Sequence, residues 1–423
     1  MSNIFNSIQV KAPKKNAFDL THDVKQTMRM GELTPVLALE CVPGDKFVIG
    51  AETLIRFAPL VSPVMHRLDA TIHYFFVPNR ILWDGWEKWI TDPNSLRVHP
   101  YIVMSDFDST AEEKRFADYL GVPKLRYTYP GSGYYSLNPF RFAAYQCIYN
   151  EYYRDQNLIA EIPYKLKDGQ QVDNTELLQM RRRAWGHDYF TSALPWAQKS
   201  NPVSIPLGDV KLVDDLNSGN KPFFVNNGAA PISGNVEAQA VTGEMQVGVS
   251  SNSWLDPNGS LEVDSTTITD LRRAFKLQEW LEKAARSGSR YIEHLKAFFN
   301  VTSSDKRLQR PEYITGVKTP IVISEVLNTT GQQFEDGASG LPQGNMAGHA
   351  VGVTTGKSGS FFCEEHGYII GIMSILPLTA YSQGIHKSLY KLDQMDYFYP
   401  EFAHIGEQEI INQELYVSGD PDI

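Results

Sequence analysis

Along this chain, short apolar and β-branched runs bounded by Pro, Gly and Asn outnumber helical stripes. Residues 36–42 and 47–55 flank Pro43-Gly44-Asp45, whose Pro and Gly suit a tight turn, and both runs read as strands. TIHYFFV at 71–77 concentrates β-branched and aromatic residues and stops at Pro78. Residues 320–326 form another strand candidate. YIIGIMSIL at 368–376 is apolar without alternation, as a strand covered on both faces would be.

Helical periodicity is confined to a few places between these runs. Over 141–154, Ala144, Tyr145, Ile148 and Tyr152 make an apolar stripe. The clearest helix spans 268–287, with Thr267 as N-cap, Asp270 three residues on and Gly288 as terminator. Its predicted inner face is Leu271, Ala274, Phe275, Gln278, Leu281 and Ala285. Strands and helices do not alternate as a parallel sheet requires, so the pattern predicts a mainly β, antiparallel core carrying helical and loop insertions. Residues 208–265 are rich in Gly, Asn, Ser, Val and Asp, with scattered large apolar residues (Phe223, Phe224, Trp254). A stretch of that length without a strong element reads as an exposed insertion, either a plain surface loop or a recognition element.

Composition narrows the function classes. Charged residues are 21% and hydrophobic ones 42%, a balance that can bury a core. The net charge of −10 is a poor footprint for a protein whose whole surface grips nucleic acid, while leaving room for a locally basic arm or face. Aromatic residues reach 12%, with 21 Tyr and 21 Phe, which favours sheets and large interfaces. Cys41, Cys147 and Cys363 form no CxxC pair and are read as reduced thiols. The first residues lack the apolar core of a secretory leader, and no run approaches the roughly 20 apolar residues a membrane span needs.

The local motifs argue against catalysis. Gly352 to Ser358 mimics a phosphate loop but has three residues between its glycines where four are required, and it reads as a surface turn. Cys363-Glu364-Glu365-His366 lacks the i, i+4 histidine pair of a helical zinc site and reads as a strand end with exposed acids. No catalytic residue, metal site or cofactor is predicted. Two basic clusters stand out: Lys11, Lys14 and Lys15 in a polar arm over 1–30, and Arg181, Arg182 and Arg183. The arginines suit phosphate contacts, with Trp185 and Tyr189 nearby for stacking on bases; alternatively they form inter-subunit ion pairs on a helix over 180–189.

Several long blocks carry a resemblance. KAPKKNAFDLTHDVKQTMRMGELTPV (11–36), RFAPLVSPVMHRLDATIHYFFVPNRILWDGWEKWIT (56–91) and YQCIYNEYYRDQNL (145–158) are followed by RRRAWGHDYFTSALPWAQ (181–198) and LRRAFKLQEWLEKAARSGSRYIEH (271–294). FFCEEHGYIIGIMSILPLTAY (361–381) and FYPEFAHIGEQEI (398–410) continue the series. In this order they resemble the major capsid proteins of microviruses, small single-stranded DNA bacteriophages, especially the gokushovirus branch. The resemblance implies a viral jelly roll of eight antiparallel strands in one domain over 31–423, with long helical and loop insertions. It further implies pentamers in a T=1 icosahedral shell around a circular single-stranded DNA genome, made in a bacterial host's cytoplasm and residing in the virion. Scaffolding or other virion proteins and a host receptor would be partners, with no membrane insertion. Residues 208–265 fall where such proteins build an outer protrusion, which makes Phe223, Phe224 and Trp254 candidates for host contact. The family pattern continues past 406–410 with an aromatic and Arg-rich stretch where this chain has VSGDPDI. A cellular lectin of jelly-roll type and a glycoside hydrolase are the rival readings; the latter needs two carboxylates facing across a cleft.

Overall fold

The computed structural model describes residues 16–57, 66–103 except 93, 111–123, 136–196 except 173–174, 267–327 except 289, 346–403 except 357, and 408–417. Between 197 and 266 it describes short backbone pieces that include the strands named below. The chain divides into two compact units: Met1–Ala193 with Val301–Tyr390 and Ile410–Ile423, and Leu194–Asn300 with Lys391–Glu409. Lys11, Lys14, Lys15 and Phe223 lie outside the described residues.

The first unit is built on strands β1 (Thr34–Cys41), β2 (Lys46–Ile49), β3 (Glu52–Arg56), β4 (Leu68–Pro78) and the short pair β5 (Ile102–Val103) and β6 (Ser136–Leu137). The second unit holds β7 (Val210–Leu212), β8 (Phe224–Val225), β9 (Ser253–Trp254) and β10 (Leu261–Val263). The first unit then resumes with β11 (Glu312–Leu327), β12 (Met346–Thr355), β13 (Gly359–Phe362) and β14 (Gly367–Pro377). Every named ladder is antiparallel, and the pairing is a mirror in sequence: β1 with β14, β2 with β13, β3 with β12, β4 with β11. A further ladder, β4 with β14, joins two arms of this long hairpin, giving the order β1-β14-β4-β11. β11 outlasts β4: residues up to Ile321 pair with β4, and from Val322 they pair with β12, which carries β3 at its edge. Pro320, which has no N–H to give a ladder, sits beside that change of partner.

The β4·β14 ladder explains its own composition. Phe75 and Val77 face one way with Tyr368, Ile370 and Ile372, while Ile72, Tyr74 and Phe76 face the other with Ile369 and Met373. Alternate residues thus enter two different cores, so neither strand shows polar alternation. One core is capped by helices α1 (Asn79–Leu82), α3 (Ala111–Tyr119) and α4 (Phe140–Ile148); α2 (Trp86–Thr91) adds Trp86 and Trp89 at its edge. The other takes Phe47 and Ile49 from β2, Ile55 from β3 and Phe361 from β13. Cys41 and Cys363 meet there as free thiols; their hydrogen bond, together with burial, pushes the Cys41 thiol up. Gly371 is required by closeness, since a Cβ would lie 2.8 Å from the Tyr74 ring and 2.9 Å from Leu37 Cβ.

The structure refines several expected elements. The 47–55 run is split at Gly50-Ala51 into β2 and β3. The predicted helix over 141–154 is α4 followed by a π-helical turn, Tyr149–Tyr153, and α4 is buried on all sides instead of along a stripe. Its polar residues serve as pins. Gln146 donates to the carbonyls of Leu177 (3.1 Å) and Gln179 (2.7 Å), and Tyr145 donates to Leu33 O (2.7 Å) while accepting from Arg181 N (2.9 Å). The phosphate-loop mimic is half strand: Gly352 to Thr355 belong to β12, and Gly356 donates its N–H to Ala51 O.

In the second unit, β7·β10 and β8·β9 are antiparallel, with Phe224 opposite Trp254 and the second ladder nested inside the first. Helix α5 (Ile268–Arg286) begins where the capping signal predicts: Thr267 Oγ1 accepts from Asp270 N at 3.2 Å. Gly288, at φ +87°, follows its last turn. Leu281, Ala284 and Ala285 are buried, Leu271, Ala274 and Gln278 half-buried, and Phe275 is exposed, a correction to the predicted inner face. Helix α6 (Tyr291–Phe299) packs Phe298 against Trp280 of α5 with ring centroids 5.7 Å apart. In the first unit, α7 (Asn412–Leu415) completes the helices.

Replacing Tyr145 by Phe keeps the ring but strands Leu33 O and Arg181 N in a dry interior. The expected cost is about 1–3 kcal/mol, read as a lower denaturant midpoint with unchanged slope.

Candidate assembly and nucleic-acid surfaces

Residues 181–183 pair with Gly31–Leu33 as an extended segment, and 181–187 do not form the helix over 180–189 considered above. Side chains therefore alternate, and the Arg run separates. Arg181 turns inward: its Nε donates to Gln146 Oε1 (2.8 Å) and its Nη2 to Glu176 O (2.6 Å) and Oε2 (2.7 Å). Arg183 also turns inward, donating to Thr71 Oγ1 (2.5 Å) and Ser374 Oγ (3.0 Å) on the β4·β14 ladder. Their guanidiniums stand 5.8 Å over the rings of Tyr149 and Tyr153, and Arg310 stands 4.3 Å over Tyr152, so the π-helical turn offers three tyrosine faces to three arginines. Arg182 alone is exposed, with its backbone bridged to Glu32.

The arginine anchoring shapes a neighbouring histidine. His73 Nδ1 lies 2.8 Å from Tyr153 OH, its ring stacked on Tyr153 and edge-on to Phe75 and Tyr313. Burial, with the nearby Arg183 charge, pulls its pKa from 6.5 down to about 4.

Beyond the arginines the chain turns at Asp188, a residue that sequence reasoning passed over. Its Oδ1 accepts from Phe190 N (3.1 Å), Thr191 N (2.8 Å) and Thr191 Oγ1 (2.9 Å). Its Oδ2 accepts from Thr379 Oγ1 (3.0 Å) and Tyr381 OH (2.8 Å), and these bonds hold the carboxyl well below the usual carboxylate range. One acid thus ties the 188–191 turn to the segment after β14. Asp-x-x-Thr is a local turn signal visible in sequence, whereas its two distant donors are not. Between these segments lies a groove of about 340 Å³ lined by His66, Trp185, Thr191, Leu378, Thr379 and Tyr381. Tyr189, the other predicted stacking residue, is engaged with Phe190 and with Glu414, to which its hydroxyl donates at 3.1 Å.

Of the insertion candidates, Phe224 and Trp254 face one another across β8·β9 as backbone partners. The Cys363–His366 stretch lies in the turn between β13 and β14: Glu365 pairs with Arg80, Glu364 with Lys306, and the His366 ring rests on Trp86. Among the described residues no cluster of three or more His, Cys, Asp or Glu is placed to hold a metal ion, and no helix is long and apolar enough to cross a membrane.

Large apolar side chains remain uncovered in both units. In the first, Leu54 and Val353 are cross-strand partners on β3·β12, and Val322 of β11 is also exposed. In the second, Phe275, Leu277 and Trp280 of α5 are exposed, and so are Leu392 (93%) and Phe398 (76%) of the 391–409 segment. Exposed apolar side chains that adjoin one another, as Leu54 and Val353 do, suit contact with other molecules.

A family model described as "Capsid protein (F protein)" matches residues 6–422. The chain belongs to this phage capsid protein family. The VP1 capsid protein of Bdellovibrio phage phiMH2K is 34% identical over 96% of the chain and 77% of that relative. VP1 of Chlamydia phage 1 is 32% identical over 99% and 80%, and VP1 of Spiroplasma virus 4 is 28% identical over 96% and 77%. All three relatives come from microviruses, so the resemblance read from the sequence blocks holds for the capsid chain as a whole.

The His73 environment makes a pH prediction for this capsid protein. The unfolded imidazole takes a proton near pH 6.5 and the folded one only near 4, so acid favours unfolding. The stabilisation held by neutral His73 is complete above about pH 6.5 and is lost as pH falls towards 4. Thermal unfolding of wild type and His73→Gln between pH 7 and 4 should show a shallower acid decline for the variant.

Proposed function

We propose that the chain is the structural subunit of a closed T=1 icosahedral shell, built through pentamers, that encloses a circular single-stranded DNA genome in the virion. The observation that carries this is capsid-family membership across nearly the whole chain, joined to apolar surface that a lone subunit leaves wet. A closed shell covers such surface by repeating a few contacts, each modest alone and mutually reinforcing on closure. The mirror pairing supports the jelly-roll reading, because a jelly roll is one long antiparallel hairpin of eight strands, its first strand paired with its last and its two middle strands with each other. The eight strands of that reading are β1 to β4 and β11 to β14, and everything between β4 and β11 is insertion. Its role is structural and not catalytic, in keeping with relatives that carry a capsid protein's name.

The insertion at 208–265 is assigned to host attachment, with Phe223, Phe224 and Trp254 at its contact surface. Nested ladders bring its two ends together, a way to present a loop without disturbing the core that carries it. The Lys11, Lys14 and Lys15 arm and exposed Arg182 are assigned to the packaged genome, since cations are what a polyanion requires of an otherwise acidic subunit. Scaffolding or other virion proteins and a host receptor complete the proposed partners, and synthesis is placed in the host cytoplasm.

Sedimentation velocity of the purified chain across a concentration series tests the central reading: pentamers or shell-sized particles are expected, and a monomer at every concentration argues against self-sufficient assembly. Deleting residues 223–254 should leave particle formation intact and reduce adsorption to host cells; lost assembly would sink the attachment role. Lys11, Lys14 and Lys15 to Ala should lower the DNA recovered per particle, and unchanged DNA content would count against the arm.

A further inference from the structure

We propose that the groove between His66, Trp185 and the Leu378–Tyr381 segment is a binding site for one nucleotide of single-stranded DNA, with the base stacked on the Trp185 indole and its phosphates met by Arg67 and Arg182. This rests on the reading of the chain as a subunit that encloses single-stranded DNA.

Four observations converge on the groove. The first is the state of Trp185. It is 49% exposed, and among the described residues no ring packs on it and nothing takes its Nε1–H. The other described tryptophans of the first unit pack tilted or edge-on against one another, His99, His366 or Phe140 in the α1–α2 region. An indole face left free beside a concave site is the platform on which bases of any identity stack.

Rigidity is the second. Asp188 joins one wall to the other through Thr379 and Tyr381, and Leu378 N donates to Arg67 O at 2.8 Å, joining the third segment. The side chains of Phe190 and Tyr381 pack edge to face, with centroids 4.6 Å apart, behind that junction. The walls are therefore set before a ligand arrives, which lowers the ordering cost of binding.

Size is the third: about 340 Å³ sits at the lower end of small-ligand pockets and suits one nucleotide, not a duplex. Charge is the fourth. His66 lines the groove; Arg67 follows it, largely in solvent and sharing the buried Asp69 carboxylate (3.5 Å) with Lys318 (2.8 Å), so the two cations exceed that acid by one charge; exposed Arg182 precedes Trp185 by three residues. Asp188 remains an anion, and its two oxygens are held by donors of the protein in the junction between the walls. Aromatic face and flanking cations together select a polyanion that carries flat rings.

The test uses the full chain and a fluorescein-labelled oligo-dT, with binding read by anisotropy and by quenching of tryptophan emission, beside sedimentation of the same samples. Trp185→Ala should bind roughly 5- to 150-fold more weakly, the range set by loss of one stacked base, and Trp185→Phe should restore most of the affinity. Arg67→Gln and Arg182→Gln should each flatten the salt dependence by about 0.7 in log–log slope. Thermal unfolding of each variant checks that the fold is retained, and Trp280→Ala, in the second unit, serves as the control expected to bind normally. Equal oligo-dT affinity for wild type, Trp185→Ala and Trp185→Phe overturns the site while leaving shell formation untouched. Lost assembly in Trp185→Ala with oligo-dT binding intact also overturns it, and makes the groove a contact between subunits. If wild type fails to assemble yet loses oligo-dT binding on Trp185→Ala, self-sufficient assembly falls and the nucleotide site stands.

Discussion

The ladder between β4 and β14 is the constraint on which the first unit depends. Its residues feed two cores at once, one under α1, α3 and α4 and one facing β2, β3 and β13. Because side chains alternate with period two, a one-residue slip would exchange the contents of both cores. Tyr74 and Leu37 could not then meet over Gly371, nor Ile370 lie opposite Phe75. Register here is held by packing on two sides, a stronger specification than a half-solvated sheet possesses. The same ladder lies outside the mirror pairing and joins two arms of the long hairpin in one sheet.

A second layer of organisation comes from polar groups inside the helical core. Gln146, Asn150 and Tyr145 are buried, yet each bonds backbone of the irregular segments that run past α4. Buried amides and hydroxyls are costly unless satisfied, and here they are satisfied by carbonyl and N–H groups that would otherwise lack partners. The described coil and turns within 160–183 are thereby fastened without a helix or named strand of their own. Arg181 and Arg183 extend the fastening with paired hydrogen bonds and tyrosine faces, so charges that look available for nucleic acid are mostly spent within the subunit.

What remains at the surface is correspondingly specific. Arg182, Trp185 and His66 are exposed, as is Arg67 beside its partner Asp69, while Leu54, Val353, Phe275, Leu392 and Phe398 are exposed apolar groups. The two kinds of surface differ chemically. Aliphatic and Phe side chains are suited to dry contact with protein, and an indole flanked by guanidiniums suits a charged ring system. The two kinds of surface occupy different residues.

Much of the fold was legible because its signals are local. Continuous apolar runs marked β4 and β14, Pro43-Gly44-Asp45 marked the first turn, with Gly44 at φ +97°, and Thr267 with Gly288 marked both ends of α5. Long collinear blocks carried the family. The sequence could not by itself separate Arg182 from its neighbours, since direction in an extended segment depends on what lies beneath it. Nor could it show that Asp188 would find Thr379 and Tyr381 almost 200 positions away, or that β12 would absorb the start of a Gly-rich motif as a strand. Those outcomes follow from pairing and burial between distant segments, where free energy depends on which surfaces meet and not on the propensity of any one stretch. Local chemistry determined the elements and the family; tertiary contact decided which charges are spent and which stay free.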